Sequence, residues 1–261
     1  MAIKAAFFDI DGTLISLSNK VVTKSTACAV CQLHEAGVKT FVATGRSRPE
    51  IETQDMLRGM VFDAVLANNG QQCYGGSGTL RDIPLPREDV EALVHHVDEH
   101  GYCAWFTEAD RLYINRVDER VKTVMDDIHT EIPQVGNIHR ALTHPVYKVV
   151  VYLTPGEVRQ GPASVVKHSV PMRFHPLASD FMPQSGGKIA AMQALLDQFG
   201  ILPEETIAFG DGPNDADMLR LAGIGVAMGN GSEEAKQAAD YITDTCENDG
   251  IRKALEHFGL I

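Results

Sequence analysis

The chain alternates short apolar runs with stretches of helical spacing, loses that rhythm in its middle, and regains it near the end. Ile3-Lys4-Ala5-Ala6-Phe7-Phe8 is apolar without polar alternation, as expected of a strand buried on both faces of a parallel sheet. Helical spacing follows up to Ala36 and stops at Gly37, a residue suited to ending a helix. A strand over 38–43, a helix over 48–57 and a strand over 64–67 come next. Such alternation predicts right-handed crossovers and a parallel sheet. Residues 71–82 then read as a hairpin around Gly75-Gly76-Ser77-Gly78.

From about Pro84 the order changes to a helix (87–100), short strands at 103–106 and 112–114, and a helix over 118–128. A strong strand (146–153), a further helix and two short strands ending near Met182 complete this stretch. From Gly187 the first rhythm returns: helix to Phe199, strand 206–209, helix 216–221, strand 224–228, and a last strand and helix. The fold class expected is α/β, a parallel core interrupted by an α+β insert. The divisions are core 1–83, insert 84–183 and core 184–261.

Composition narrows the chemistry. The 261 residues carry a formal net charge of -12, which disfavours polyanionic partners such as nucleic acid or acidic membranes. No apolar run of about 18 residues appears, and the start of the chain reads as a strand, not a signal peptide. A soluble cytoplasmic protein, monomer or homodimer, is expected. Five scattered cysteines make a poor disulfide framework. Cys28 and Cys31 fall in a helical run with Ala27, Val30 and Leu33 and are expected to pack as core.

The main chemical signal is Phe7-Phe8-Asp9-Ile10-Asp11-Gly12-Thr13-Leu14. Residues two apart on an extended backbone point the same way, so Asp9 and Asp11 can address one substrate where the strand ends, the usual site in doubly wound sheets. Two such carboxylates suit a division between nucleophile and general acid/base. Three other segments follow strands or open a helix. Thr44-Gly45-Arg46 offers a hydroxyl and an amide to a phosphate. Gly186-Gly187-Lys188 places a cation at a helix start. Gly210-Asp211-Gly212-Pro213-Asn214-Asp215 sets two carboxylates four apart, suited to a hard cation such as Mg2+.

In this order the motifs resemble the haloacid dehalogenase (HAD) superfamily, specifically its Cof-like branch, subfamily IIB. Asn68-Asn69-Gly70, Ala227-Met228-Gly229-Asn230-Gly231 and Glu247-Asn248-Asp249-Gly250-Ile251 extend the resemblance over nearly the whole chain. The resemblance implies a Rossmann-like core, a large mobile cap over the site, and a phosphatase acting on small-molecule phosphate esters such as sugar phosphates. It implies that Asp9 attacks phosphorus to form an aspartyl-phosphate and that Asp11 protonates the leaving oxygen and later activates water. Mg2+ would be held by Asp9, the Asp11 carbonyl and Asp211, with Asp215 as ligand or support. Thr44, Gly45, Lys188, Asn214 and the amides of Ile10 and Asp11 would hold phosphoryl oxygens. The chain departs from the family's Ser-Lys-Gly by having Gly187-Lys188-Ile189, which keeps the charge and changes the loop.

By the same resemblance, dehalogenases and phosphonatases lack an aspartate at the position of Asp11, and transport ATPases carry threonine there and have membrane spans, so the resemblance favours phosphatases or phosphomutases. A phosphomutase of the phosphomannomutase type and a non-catalytic sugar-phosphate binding module are the rivals. Arg140, Lys148, Arg173 and His175 are the candidates for substrate selection in the insert, and Trp105 is expected to be core.

Overall fold

The computed structural model describes residues 2–18, 20–76 and 78–261; Ser77 of the expected hairpin turn lies outside them. The chain divides into two compact units, one of residues 1–46, 50–82 and 187–261, the other of 47–49 and 83–186.

The first unit opens with β1 (Ala5–Phe8), entirely buried, then α1 (Lys24–Glu35), whose N-cap Thr23 accepts a bond from the Thr26 amide. β2 (Lys39–Ala43), α2 (Arg48–Thr53, its first two residues counted with the second unit) and β3 (Ala64–Ala67) follow, and β4 (Gln72–Gly75) and β5 (Gly78–Asp82) form the hairpin. The helix expected over 48–57 is cut to Arg48–Thr53, because Asp55 and Arg58 adopt left-handed φ of 45° and 49°.

The second unit begins with α3 (Arg87–His100), closed by Gly101 at φ 64°, followed by β6 (Ala104–Thr107), β7 (Leu112–Ile114) and α4 (Glu119–Asp127). β8 (Lys148–Val151), α5 (Pro155–Gln160), α6 (Pro162–Val165), β9 (Ser169–His175) and β10 (Ala178–Pro183) complete it. Its antiparallel sheet runs β7-β6-β8-β10-β9. The apolar run at 146–153 is longer than the ladder it forms, since Val146 and Leu153 are buried by packing outside β8. Trp105 lies in the apolar cluster with Val121, Val124, Val150 and Tyr152, as expected for core.

The chain then returns to the first unit with α7 (Lys188–Phe199), β11 (Thr206–Gly210), α8 (Ala216–Leu221) and β12 (Ile224–Ala227). α9 (Glu233–Ala238), β13 (Tyr241–Ile242) and α10 (Gly250–His257) end it. Helix α9 has no counterpart in the apolar pattern because it buries only Ala235. The sheet order is β13-β12-β11-β1-β2-β3-β4-β5, parallel from β13 to β3. The α/β class expected from the pattern is the one formed.

Alternation along β1 splits the core into two faces. Ala6 and Phe8 pack with α1 and α10, whereas Ala5 and Phe7 pack with α7 and α8. Phe7, Phe8, Phe41 and Phe209 are fully buried, each contributing about 1.5–3 kcal/mol of transfer free energy. Because β1 pairs in parallel with both β2 and β11, the chain leaves all three strands at the same edge.

Cys28 and Cys31 are exposed, contrary to the expectation that they pack as core. The buried stripe of α1 is Thr26, Ala29, Val30 and Leu33. Ala29 and Thr26 take the inward positions in place of the cysteines, which rotates the stripe relative to the one read from Ala27, Val30 and Cys31.

Candidate active site

Each candidate side chain of the first unit leaves a strand end or opens a helix. Asp9 follows β1 directly, and its amide donates to Phe209 O at 3.0 Å, tying it to the neighbouring strand. Asp211 follows β11 and Thr44 follows β2. Lys188 is the first residue of α7, one residue after Gly187 at φ 108°.

Asp9, Asp211 and Lys188, with Asp215, converge on a buried charge cluster. Lys188 Nζ donates to Asp9 Oδ1 and to Asp215 Oδ1, both at 2.6 Å, and the lysine is only 4% exposed. Asp215 Oδ2 accepts from the amides of Asp211 (3.0 Å) and Gly212 (2.9 Å), so both its oxygens have protein donors. Asp211 is held from the other side by Thr13 Oγ1, which donates to Oδ1 at 3.0 Å. Gly12 makes the approach possible: at φ 82°, a Cβ there would stand 2.1 Å from Asp211 Oδ2. The left-handed φ and the space both require glycine.

Carboxylate oxygens of Asp9, Asp211 and Asp215 lie within 4.8 Å of one another. Three carboxylates against one ammonium leave two uncompensated negative charges, matching one divalent cation. The carboxyl groups register that excess. Burial and then the charge of Asp215 push Asp9 well above the usual carboxylate range, against the pull of Lys188. The same two causes push Asp211 up to about 7. Asp9 and Asp215 together raise Lys188 despite its burial, keeping it charged. An all-oxygen donor set with excess negative charge fits a hard cation, and such a cation must displace protons from these groups when it binds.

Asp11 is treated differently. Its carboxylate accepts a two-pronged bond from Arg46, Nε at 2.8 Å and Nη2 at 2.9 Å, and Lys20 Nζ stands 3.9 Å away. Burial alone raises its pKa, but the Arg46 bonds and charge outweigh that and hold it below the usual range. Arg46 is itself braced by buried Glu50 at 3.1 Å. Thus the two aspartates sit in opposite fields, one electron-rich and one cationic.

The Thr44-Gly45-Arg46 turn is pinned by two amides in left-handed conformation: Asn68 N donates to Arg46 O and Asn69 N to Thr44 O, both at 2.8 Å. Thr44 is buried and its Oγ1 accepts from Arg46 N. Gly45 lies against Asn69 Oδ1, and the exposed Asn214 donates to that oxygen at 3.5 Å. Ile10 is fully buried, its carbonyl accepting from Thr13 and Ile15. Thr13, Lys20, Arg46 and Glu50 were not assigned roles from sequence. Thr13 and Arg46 stand inside the Asp-Gly-Thr and Thr-Gly-Arg runs, whereas nothing local marks Lys20 or Glu50.

The four residues expected to select substrate do not form one group. Arg140 lies on a 3-10 turn and pairs with buried Glu108 at 2.9 Å, which also accepts from Tyr113 OH. His175 pairs with Asp127 at 3.1 Å, and Arg173 is exposed on β9. Lys148 is buried on β8, opposite Thr107. Strand alternation puts Lys148 and Arg173 on opposite faces of their sheet.

Residues 6–255 match the haloacid dehalogenase-like hydrolase family. Among solved structures, BT1666 from Bacteroides thetaiotaomicron, a HAD superfamily phosphatase, superposes with a TM-score of 0.89 at 30% identity, covering 100% of this chain and 96% of that one. The HAD subclass IIB sugar phosphatase BT4131 superposes with a TM-score of 0.84 at 32% identity, covering 99% and 100%. The Bacillus subtilis 5-amino-6-(5-phospho-D-ribitylamino)uracil phosphatase YitU is 28% identical over 269 residues, 97% of this chain and 96% of its own. The chain belongs to the haloacid dehalogenase-like hydrolases and is a phosphatase of that family.

Proposed function

We propose that the protein hydrolyses small phosphate monoesters, sugar phosphates or related metabolites, through a phosphoryl group carried on Asp9, with Mg2+ as its ion. The observation that carries this reading is the pairing of unlike aspartates two residues apart. Asp9 is packed beside Lys188 and two further carboxylates, and Asp11 is forked by Arg46.

In the first step an Asp9 oxygen forms a bond to phosphorus as the ester P–O bond breaks, and Asp11 gives a proton to the departing oxygen. In the second, Asp11 takes a proton from water, the water oxygen bonds to phosphorus, and the Asp9 carboxylate is released with phosphate. Asp9, Asp211 and the Asp11 carbonyl would hold the ion, and Asp215, whose oxygens already serve Lys188 and two amides, orients that set. The ion supplies positive charge against the phosphoryl oxygens and keeps Asp9 ionised. Lys188 supplies the permanent part of that charge. Thr44, Gly45, Asn214 and the Ile10 amide stand as phosphoryl contacts. The Arg46 fork favours the ionised Asp11 needed in the second step, and Asp11 must loosen from it to carry a proton in the first.

Phosphate release from a panel of phosphorylated metabolites, with Mg2+ and with chelator, tests the reading. Release that depends on Mg2+, with more ion required as pH falls below about 7, is expected. Turnover unaffected by chelation would remove the ion from the account.

Arg46→Lys is expected to lower kcat about tenfold, because an ammonium cannot reproduce the two-pronged geometry. Its weaker pull raises the Asp11 pKa, so the acid limb of the kcat profile should move to higher pH. A pH–rate series on both enzymes reads both effects.

A further inference from the structure

Two late motifs have no part in the chemistry above, the loop Gly229-Asn230-Gly231 and the segment Cys246-Glu247-Asn248-Asp249. Both reach back to the loop that follows the nucleophile strand. Asn230 Nδ2 donates to Gly12 O at 2.8 Å, while its Oδ1 accepts from the Cys246 amide at 3.0 Å. Glu247 Oε1 accepts from Ser16 Oγ and, at 3.4 Å, from Ser18 Oγ. Thr23 Oγ1 donates to Asp249 Oδ1 at 3.3 Å.

The Asn230 loop is also anchored on Asp211. Ser232 N donates to Asp211 O at 2.8 Å, and a Cβ on Gly231 would lie 3.1 Å from Asp211 Cα. Gly12, whose carbonyl Asn230 holds, has its Cα against the Asp211 carboxylate. One amide side chain therefore sets the spacing between the strand-end loop of Asp9 and Asp11 and the carboxylate of Asp211.

We propose that Asn230 is a positioning residue that fixes Gly12 against Asp211, and that Glu247 assists by holding Ser16 and Ser18, so that these late residues set the affinity of the ion site without touching ion or substrate. The proposal rests on the reading of Asp9, Asp11 and Asp211 as an Mg2+ site. Its distinctive element is the donated bond to Gly12 O. Asn230→Asp keeps an acceptor for the Cys246 amide and replaces the donor by a second oxygen facing Gly12 O. Asn230→Ala removes both bonds.

The test is calorimetric titration of Mg2+ into wild type, Asn230→Asp and Asn230→Ala, with amide hydrogen exchange over residues 12–18. Outer groups that orient metal ligands typically contribute about tenfold or more in affinity. Both variants are therefore expected to bind Mg2+ at least about tenfold more weakly than wild type, with faster exchange in the loop. Wild-type affinity in Asn230→Asp beside weakened Asn230→Ala would show that only the Cys246 bond matters and overturn the proposal. Wild-type affinity in both would overturn it equally. Glu247→Ala is a second handle should the Asn230 variants not fold; accelerated exchange over 12–18 with weaker Mg2+ binding is expected, and unchanged exchange contradicts the proposal. If wild type itself took up no Mg2+, the ion reading would fall instead, which separates the two failures.

Discussion

Asp9→Asn should abolish turnover, with kcat reduced by at least about 1,000-fold, because an amide oxygen cannot serve as the nucleophile on phosphorus. The same substitution should leave the fold intact and, without Mg2+ at neutral pH, should not lower the melting temperature. Burial and the Asp215 charge make an ionised Asp9 unfavourable in the folded chain, and a neutral isostere removes that cost. Lys188 retains Asp215 as a partner at 2.6 Å, so its charge is not left unpaired. Steady-state kinetics beside a thermal melt checks both parts. Activity near wild type in Asp9→Asn would exclude Asp9 as nucleophile.

Lys188→Met should cost both activity and stability. The ammonium is buried and bonded to two carboxylates, and removing one member of a buried pair typically costs about 3–5 kcal/mol because the remaining charge is uncompensated. For a chain of this size that corresponds to a melting temperature lower by roughly 10 °C. The deficit should depend on pH in a defined direction. Without Lys188 the Asp9 pKa rises further, so the variant binds more protons folded than unfolded and is relatively most stable in acid. Stability should then fall as pH rises through the elevated pKa, giving a larger deficit at pH 8 than at pH 5. Loss of permanent positive charge beside the phosphoryl group should also reduce kcat by about 100-fold or more. Melting curves at the two pH values, with and without Mg2+, check the stability part, and added Mg2+ should recover some of it.

The sequence made the frame of this site readable because strand ends carry strong local signals. An unbroken apolar run leading into Asp9-Ile10-Asp11-Gly12 defines both a central strand and its exit, and the run before Gly210-Asp211 does the same for its neighbour. Parallel pairing of β1 with β2 and β11 then brings their ends together without further information. What the sequence did not convey is partner choice between residues far apart in the chain. That Arg46 would take Asp11 and Glu50, and Lys188 would take Asp9 and Asp215, depends on side-chain directions fixed by packing. That both Asp215 oxygens are engaged by protein donors is likewise a property of the turn around Gly212.

Helix α1 shows the same limit for packing. A period of 3.6 residues tolerates more than one buried stripe when alanine, threonine and cysteine are intermixed, and contact with the sheet selected the stripe that leaves Cys28 and Cys31 outside. In the second unit, chemistry-bearing residues were recognisable by type only. Arg140 and His175 are taken up by Glu108 and Asp127, partners too distant in sequence to be anticipated.

Every step of the proposed reaction depends on passage of the phosphoryl group through Asp9. Its most direct measurement is rapid quenching of the enzyme during turnover of a phosphate ester with Mg2+, followed by mass spectrometry of the peptide spanning Asp9 and Asp11. A transient mass increase of one phosphoryl group located on Asp9 is expected, prolonged in Asp11→Asn and absent in Asp9→Asn. A phosphoryl group on another residue, or turnover in which Asp9 never carries one, would contradict it.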